Sequence, residues 1–121
     1  MQLELVRKLI GMYVERIFGE VFPDETGAAR LQQVGLFTLI FVLQGGKEPV
    51  TAARVSELTG QSLSAIQKQL LKLEKVGVIE RKSVLNRHGR GRAYHLFIKQ
   101  NQQTKRLLQA IGKAAAAGRK R

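Results

Sequence analysis

The segment that most constrains this chain is residues 51–77, where two helical patterns are separated by one glycine and closed by another. Thr51 and Ser62 stand where helix N-caps are expected, because their hydroxyl oxygens can accept a bond from a free backbone N–H of the first turn. Gly60 and Gly77 stand where each helix ends, since glycine adopts the left-handed conformation of a C-terminal cap without a Cβ clash. We therefore predict a short helix, a tight turn and a longer helix.

The second of these predicted helices, residues 62–76, has one apolar and one polar face. Apolar residues recur along it at spacings of three and four, which places them on one face, and Ile66, Leu70 and Leu73 are predicted to be core. The residues of this face are Leu63, Ile66, Leu70 and Leu73. The polar side carries hydrogen-bond donors, namely Ser64, Gln67, Lys68 and Lys72. This layout is typical of a DNA-binding helix-turn-helix, but an ordinary helical hairpin with a solvated polar face has the same pattern.

The residues that follow this segment predict a β-hairpin with a basic tip. Residues 78–85 alternate as a strand does, and residues 93–98 are rich in aromatic and β-branched side chains, so the two segments are predicted to be its strands. Between them, residues 86–92 read Asn-Arg-His-Gly-Arg-Gly-Arg, a glycine-rich loop with three arginines. Such a hairpin directly after a helix-turn-helix is the arrangement of a winged helix. The two patterns together favour DNA binding over a merely solvated hairpin.

Residues 2–18 are predicted to form a helix that is apolar on two sides. One apolar stripe is enough to pack the helix on its own domain. The second stripe needs another partner, and a second copy of the chain is a natural one. The alternative is a helix that is buried on both sides within one chain.

Three further segments complete the predicted architecture. Residues 21–30 contain proline, aspartate and glycine and are predicted to be a loop. Residues 31–43 are almost continuously apolar and are predicted to be a central buried helix, which the following glycine pair terminates. From residue 101 the helical period returns, and Gly118 is predicted to end this last helix.

The predicted fold class is mainly α with a small β-hairpin wing (α+β). Residues 1–20 and 100–117 are predicted to be dimerisation helices that flank a winged helix-turn-helix at residues 50–98. Residues 118–121 form a basic tail. A chain of 121 residues fits one domain with one core, so residues 1–121 are predicted to form a single winged-helix domain.

The net charge of +12 is confined to the last third of the sequence. Residues 1–80 contain nine lysines or arginines and nine acidic residues, whereas residues 81–121 contain twelve lysines or arginines and no acidic residue. A surface with one sign of charge attracts polyanions, of which nucleic acid is the leading candidate and an anionic membrane surface the weaker one. We therefore assign the attraction of DNA to the wing and the tail, and the discrimination between sequences to helix 62–76.

Composition argues against several function classes. The chain has no cysteine, and its two histidines, His88 and His95, have no carboxylate neighbours in sequence, so no metal or other cofactor is expected. It has no Ser–His–Asp pattern and no phosphate-binding loop of the GxxxxGK type, so no enzymatic activity is expected. No apolar run approaches the roughly twenty residues that span a membrane, and a secretion signal is lacking. We expect a cytoplasmic protein without a membrane partner.

Two stretches resemble the MarR-like (multiple-antibiotic-resistance regulator) family of winged-helix transcription factors. They are LQQVGLFTLIFVLQGG at residues 31–46 and PVTAARVSELTGQSLSAIQKQLLKLEKVGVIER at residues 49–81. The order of elements matches over nearly the whole chain, although the wing lacks the acidic residue that the family commonly carries two positions before an arginine. The resemblance implies a homodimer held by its terminal helices that binds a pseudo-palindromic operator, usually as a repressor. It also implies, for many members, a small aromatic effector.

If residues 62–76 enter a major groove, the N-terminal residues of this helix reach the base edges. Gln67 can pair with adenine through two hydrogen bonds, and Lys68 can donate to the acceptors of guanine. Ser62 and Ser64 are further candidates, and their hydroxyls do not select one base.

The remaining candidate contacts are to phosphates and to the minor groove. Lys72, one turn further along the helix, is predicted to meet phosphate, and Thr51 to bond phosphate in addition to capping. Arg90 and Arg92 are predicted to lie in a minor groove, because narrow A·T-rich grooves attract arginine. Arg87 is either a further contact of the wing or an exposed loop residue.

The function predicted from these patterns is a sequence-specific double-stranded DNA-binding transcriptional regulator, acting as a dimeric repressor. One alternative is an architectural or plasmid-maintenance DNA-binding protein with low sequence specificity. A second alternative is a winged-helix module that docks a protein or RNA, with a basic tail that binds an acidic partner.

Overall fold

The computed structural model describes residues 2–85 and 92–119, and within them the chain forms five helices and one two-stranded sheet. The helices are α1 (Gln2–Gly19), α2 (Gly27–Leu43), α3 (Ala52–Thr59), α4 (Leu63–Val76) and α5 (Gln102–Arg119). The strands are β1 (Ile79–Leu85) and β2 (Arg92–Ile98). This is a mainly helical, winged-helix-like α+β fold, as predicted. None of the described helices is long and apolar enough to cross a membrane.

One hydrophobic core joins α1, α2, α4 and the hairpin. Three residues of α1 at spacings of four, Leu9, Tyr13 and Ile17, are buried because they share the face that meets this core. The ring of Tyr13 lies against that of Phe37 in α2, with centroids 4.8 Å apart. The Tyr13 hydroxyl donates a hydrogen bond of 2.8 Å to the backbone carbonyl of Lys99. α1 is therefore attached both to the central helix and to the segment that leads into α5.

Local hydrogen bonds define both helices of the helix-turn-helix. The hydroxyl oxygens of Thr51 and Ser62 each accept a bond of 3.1 Å from the backbone N–H three residues later. Gly60 and Gly77 follow the two helices with φ angles of 75° and 87°, in the left-handed region that favours glycine. The four caps predicted from the sequence are thus confirmed.

The hairpin is held along the outer edge of β2. β1 and β2 pair in antiparallel register, with Ile79 opposite Ile98. The backbone N–H of Leu96 donates to the carbonyl of Val50 at 2.8 Å, and that of Ile98 donates to the side-chain oxygen of Gln44 at 2.8 Å. These bonds attach β2 to the segment between α2 and α3, so the hairpin has a fixed position beside the helix-turn-helix.

The central helix α2 is longer than the sequence predicted. Residues 21–30 were expected to be a loop, but α2 begins at Gly27 because Thr26 caps it, accepting a bond of 3.0 Å from a first-turn N–H. The loop prediction was therefore wrong for residues 27–30. At the other end the helix stops before Gly45 and Gly46, which close successive turns through backbone bonds to the last carbonyls of the helix.

The last helix begins with a reciprocal cap. The backbone N–H of Thr104 donates to the side-chain oxygen of Asn101 at 2.9 Å, and the N–H of Asn101 donates to the Thr104 hydroxyl at 2.8 Å. The prediction that Gly118 ends the helix was wrong, because α5 continues to Arg119. The difference is one residue, and the preceding alanine run, residues 114–117, has the high helix propensity that was expected.

Candidate nucleic-acid interface

α4 presents a polar and basic face to solvent, opposite the residues that anchor it. Its anchors Ile66, Leu70 and Leu73 are buried in the core. The exposed face consists of Ser64, Lys68, Leu71 and Lys75. The spacings of four, three and four residues put these side chains on one side of the helix. Two of the predicted base-reading residues, Ser64 and Lys68, therefore lie on the most accessible side of α4.

Lys72 lies on one flank of α4 and is engaged within the protein. Its Nζ is 3.5 Å from Oε2 of Glu25, whose side chain is fully buried, and the Lys72 side chain itself is only 20% exposed. The same ammonium lies 5.9 Å from the ring centroid of Phe22. The second Glu25 oxygen is 3.9 Å from Nε of Arg30. Lys72 thus ties α4 to the segment between α1 and α2, and this pairing competes with the predicted phosphate contact.

Gln67 lies on the other flank of α4, where it is half-buried. Its Oε1 accepts a hydrogen bond of 2.8 Å from Nη1 of Arg81, a residue of β1. The Nε of Arg81 in turn donates to Glu74 of α4, forming an ion pair. These three residues join α4 to the first strand of the hairpin. The oxygen of the Gln67 amide therefore already has a donor within the protein.

Thr51 and Ser62 each combine a capping role with a free donor. The hydroxyl oxygen accepts the capping bond, which leaves its O–H able to donate to a phosphate or a base. Ser62 is exposed and Thr51 is half-buried, at the beginnings of α4 and α3 respectively. Capping accounts for both residues, and it is compatible with the predicted contacts to DNA.

The predicted contacts of the wing fall mostly beyond the described residues. Arg87 and Arg90 lie outside the described residues, so their predicted roles remain predictions. Arg92 is the first residue of β2, where its Cα pairs with that of Leu85. The hairpin register therefore brings together the two ends of the segment that carries the predicted wing arginines.

A concavity of about 320 Å³ separates the N-terminal part of α4 from the hairpin. It is bordered by Thr51 before α3, by Gln67 of α4, and by Arg81 and Tyr94 of the hairpin. Leu63 also borders it and is 48% exposed, while Tyr94 is 59% exposed. Leu63 shares the apolar face of α4 but is not part of the core, because this end of α4 faces an opening between elements.

A second concavity of about 440 Å³ lies between α2 and the turn from α3 to α4. Leu36 and Ile66 contribute apolar walls, and Gln69 and Lys68 border it with polar groups. The Oε1 of Gln69 accepts a hydrogen bond of 3.3 Å from the buried Gln33 of α2. Because Lys68 also belongs to the exposed face of α4, this concavity is adjacent to the candidate interface.

Sequence reasoning missed four residues of this region, namely Leu71, Lys75, Arg81 and Tyr94. Leu71 and Lys75 could have been found, because they continue the helical spacing that starts at Ser64 and Lys68. Arg81 and Tyr94 gave no comparable signal. Their places depend on how the hairpin packs beside α4, which is a long-range property.

No family model matches the sequence, and no curated protein matches it. Among solved structures, the chain is similar to a protein from Methanosarcina mazei Go1 described as a possible transcriptional regulator. The identity is 17% and the TM-score 0.48, covering 93% of this chain and 80% of that one. It is also similar to the ST1889 protein from the thermoacidophilic archaeon Sulfolobus tokodaii, with 15% identity, a TM-score of 0.48 and 98% of each chain covered.

Proposed function

We propose that this protein is a sequence-specific double-stranded DNA-binding transcriptional regulator that acts as a dimer. The observation that carries the proposal is the exposed face of α4, where Ser64 and Lys68 offer donors and Lys75 adds a further cation. A major groove about 12 Å wide admits an α-helix, and base edges in that groove carry acceptors that such donors read. The hairpin lies directly beside this face, so it would follow the DNA backbone towards the neighbouring minor groove.

The distribution of charge indicates different roles for α4 and for the region that contains the wing and α5. On α4, Lys68 and Lys75 are exposed, whereas Lys72 is paired with the buried Glu25. All of the net charge of the chain comes from residues 81–121, which include the wing and α5. Most of the salt-dependent attraction would therefore come from the wing and the C-terminal region. We assign the selection of sequence to α4.

The proposed dimer uses the terminal helices. α1 and α5 pack on each other, yet Val6 and Ile10 of α1 and Leu107 and Leu108 of α5 remain only half-buried in the single chain. Leu3, near the start of α1, is 68% exposed. An apolar surface of this kind suits a second copy of the chain. Light scattering during size exclusion tests this directly, with twice the chain mass expected and the mass of one chain as the contrary result.

We further propose that the protein is a member of the MarR-like family, that it represses transcription from a pseudo-palindromic operator and that it is cytoplasmic. These proposals are supported by the resemblance of residues 31–46 and 49–81 and by the composition of the chain. We also propose that the protein is not an enzyme. A small effector would act most directly in the concavity between α2 and α4, because Lys68 borders both that concavity and the DNA-facing side.

The experiment that tests the proposal is an unbiased selection of bound duplexes from a random pool. A regulator should enrich one two-fold symmetric sequence and bind it about 10³-fold or more tightly than random DNA. Binding without enrichment would favour the alternative of an architectural or plasmid-maintenance protein. If the protein binds no duplex at low salt, the alternative of a protein or RNA interaction module is favoured.

A salt titration on the selected duplex then tests the role of the wing. The logarithm of the binding constant should fall linearly with the logarithm of the salt concentration, with a slope of about −0.9 per phosphate contact. Replacing Arg90 and Arg92 together by alanine should weaken binding to all sequences and flatten the slope. An unchanged slope would remove the wing arginines from the proposed interface.

A further inference from the structure

We infer that Arg81 orients the amide of Gln67 so that its N–H groups are presented to DNA, and that Gln67 therefore selects guanine. The inference rests on the proposed DNA-binding function and deepens it. It is carried by the 2.8 Å hydrogen bond from Arg81 Nη1 to Gln67 Oε1 and by the ion pair of Arg81 with Glu74. In this scheme Arg81 is a positioning residue, because it acts through Gln67.

The chemistry of the guanidinium settles which end of the amide faces it. The oxygen and nitrogen of a glutamine amide have nearly the same shape, so the orientation is assigned from the hydrogen-bond partners. Arg81 has only N–H donors and no acceptor. The atom of Gln67 that meets it must be the oxygen, because the opposite orientation would set donor against donor. The two N–H groups of Gln67 are then the end of the amide that is turned away from Arg81.

Arg81 is itself held in place. Its guanidinium contacts Gln67 and Glu74, which lie two turns apart along α4 on the same flank. The Arg81 and Glu74 side chains are 24% and 30% exposed, so both are largely surrounded by protein. A planar guanidinium that bridges two acceptors has a fixed orientation, unlike the point charge of a lysine. The Gln67 amide is therefore oriented before DNA arrives, at the border of the concavity between α4 and the hairpin.

The orientation of the amide determines which base it suits. Guanine presents two acceptors in the major groove, N7 and O6, whereas adenine presents the N7 acceptor beside the N6 donor. The two-bond pairing of glutamine with adenine needs the amide oxygen and an N–H group to face the base together, whereas in this protein the oxygen is turned towards Arg81 and accepts from it. An amide that presents its N–H groups matches guanine instead and meets a donor on cytosine. This differs from the sequence-based expectation that Gln67 reads adenine.

The test compares the wild type with two variants in the duplex selection. Gln67→Ala identifies the base pair that Gln67 reads, as the position at which preference is lost. Arg81→Met keeps an unbranched side chain but removes every donor, which frees the Gln67 oxygen. We expect guanine at that position in the wild type, and a shift of about fivefold or more from guanine towards adenine in Arg81→Met. Preferences at all other positions should stay the same, which a general loss of folding would not produce.

A second variant keeps the test decisive if Arg81→Met does not fold. Glu74→Met releases the other end of the guanidinium, and it should shift the same position in the same direction by a smaller factor. The inference fails if the wild type prefers adenine there, if freeing the amide changes nothing, or if Gln67→Ala alters no position. If the wild type still enriches one sequence, each of these results contradicts the inference about Gln67 and is compatible with the proposed function. If the wild type binds no duplex at all, both the proposed function and the inference that rests on it are contradicted.

Discussion

The ammonium of Lys72 lies 3.5 Å from a carboxylate oxygen of Glu25, a side chain that is fully buried. Neither oxygen of Glu25 has a hydrogen-bond partner among the described residues. Its charge is therefore balanced by two cations, Lys72 and, at 3.9 Å, Arg30. A lysine on a helix proposed to read DNA is thus engaged in holding that helix to the loop between α1 and α2. Its neighbour Lys68, four residues earlier, is exposed.

We predict that Lys72→Met and Lys68→Met separate stability from DNA binding. Lys72→Met should lower the free energy of unfolding by about 2 kcal/mol, because it leaves the buried Glu25 carboxylate with one weaker partner. Lys68→Met should change that free energy by less than about 0.5 kcal/mol and should weaken binding to the selected duplex. Urea unfolding and a binding titration on both variants measure this. Equal losses of stability in the two variants would contradict the role given to Lys72.

The two serines at the beginning of α4 provide a second matched pair. Ser62→Ala removes the acceptor of the 3.1 Å bond from the Ala65 N–H, and should cost about 1 kcal/mol of stability. Ser64→Ala removes an exposed hydroxyl that does not cap the helix, so the stability should change by less than about 0.5 kcal/mol. Its effect should appear in the affinity for DNA. Thermal unfolding of both variants measures the two losses of stability. A larger loss for Ser64→Ala than for Ser62→Ala would contradict the capping role assigned to Ser62.

Two glycines should respond to alanine with opposite signs. Gly77 has a φ of 87°, where a Cβ is strained, so Gly77→Ala should destabilise the protein by about 1–2 kcal/mol. Gly35 lies within α2, and a Cβ built on it meets nothing within 4 Å. Gly35→Ala should therefore stabilise the protein by about 0.5–1 kcal/mol through helix propensity. We expect the denaturant midpoint of Gly77→Ala to lie below that of the wild type and the midpoint of Gly35→Ala to lie above it.

Tyr13 should make stability depend on pH in the alkaline range. Burial raises the pKa of its hydroxyl above the ordinary 10.0, outweighing the lowering by a hydrogen bond with Thr104 and by the charge of Arg16. The unfolded chain then loses this proton first as the pH rises. The stabilisation is complete below pH 10.0 and is lost as the pH rises through the folded pKa.

Tyr13→Phe tests this linkage. Near neutral pH the variant should be less stable by about 1 kcal/mol, because the bond to the Lys99 carbonyl is lost. Above pH 10.0 the difference between wild type and variant should shrink, since only the wild type carries the titrating group at residue 13. Unfolding curves of the wild type and Tyr13→Phe, recorded near neutral pH and above pH 10.0, measure the difference in their free energies of unfolding. A difference that stays constant or widens would show that Tyr13 does not contribute in this way.

The parts of the fold that depend on neighbouring residues were predictable from the sequence. A hydroxyl at Thr51 or Ser62 and a glycine at position 60 or 77 act within one helical turn, so each cap could be assigned without knowing the tertiary structure. At the last helix the same rule was off by one residue, since Gly118 was expected to end it and α5 extends to Arg119.

The parts of the interface that depend on distant residues could not be predicted. Helical spacing showed that Lys72 and Gln67 lie on the less apolar side of α4, but it could not show what covers their two flanks. Glu25 and Arg81, which come from a loop and a strand, engage these side chains within the protein. Nothing in the sequence around either residue indicates that pairing.

The most direct test of the placement of α4 is groove-specific methylation protection on the selected duplex. Dimethyl sulfate modifies guanine N7 in the major groove and adenine N3 in the minor groove, so it distinguishes the two surfaces. We predict protected guanine N7 atoms in two half-sites separated by about one helical turn of 10–10.5 base pairs, or a multiple of it. Lys68→Met should weaken that protection. Protection confined to the minor groove would contradict the proposal that the exposed face of α4 reads DNA.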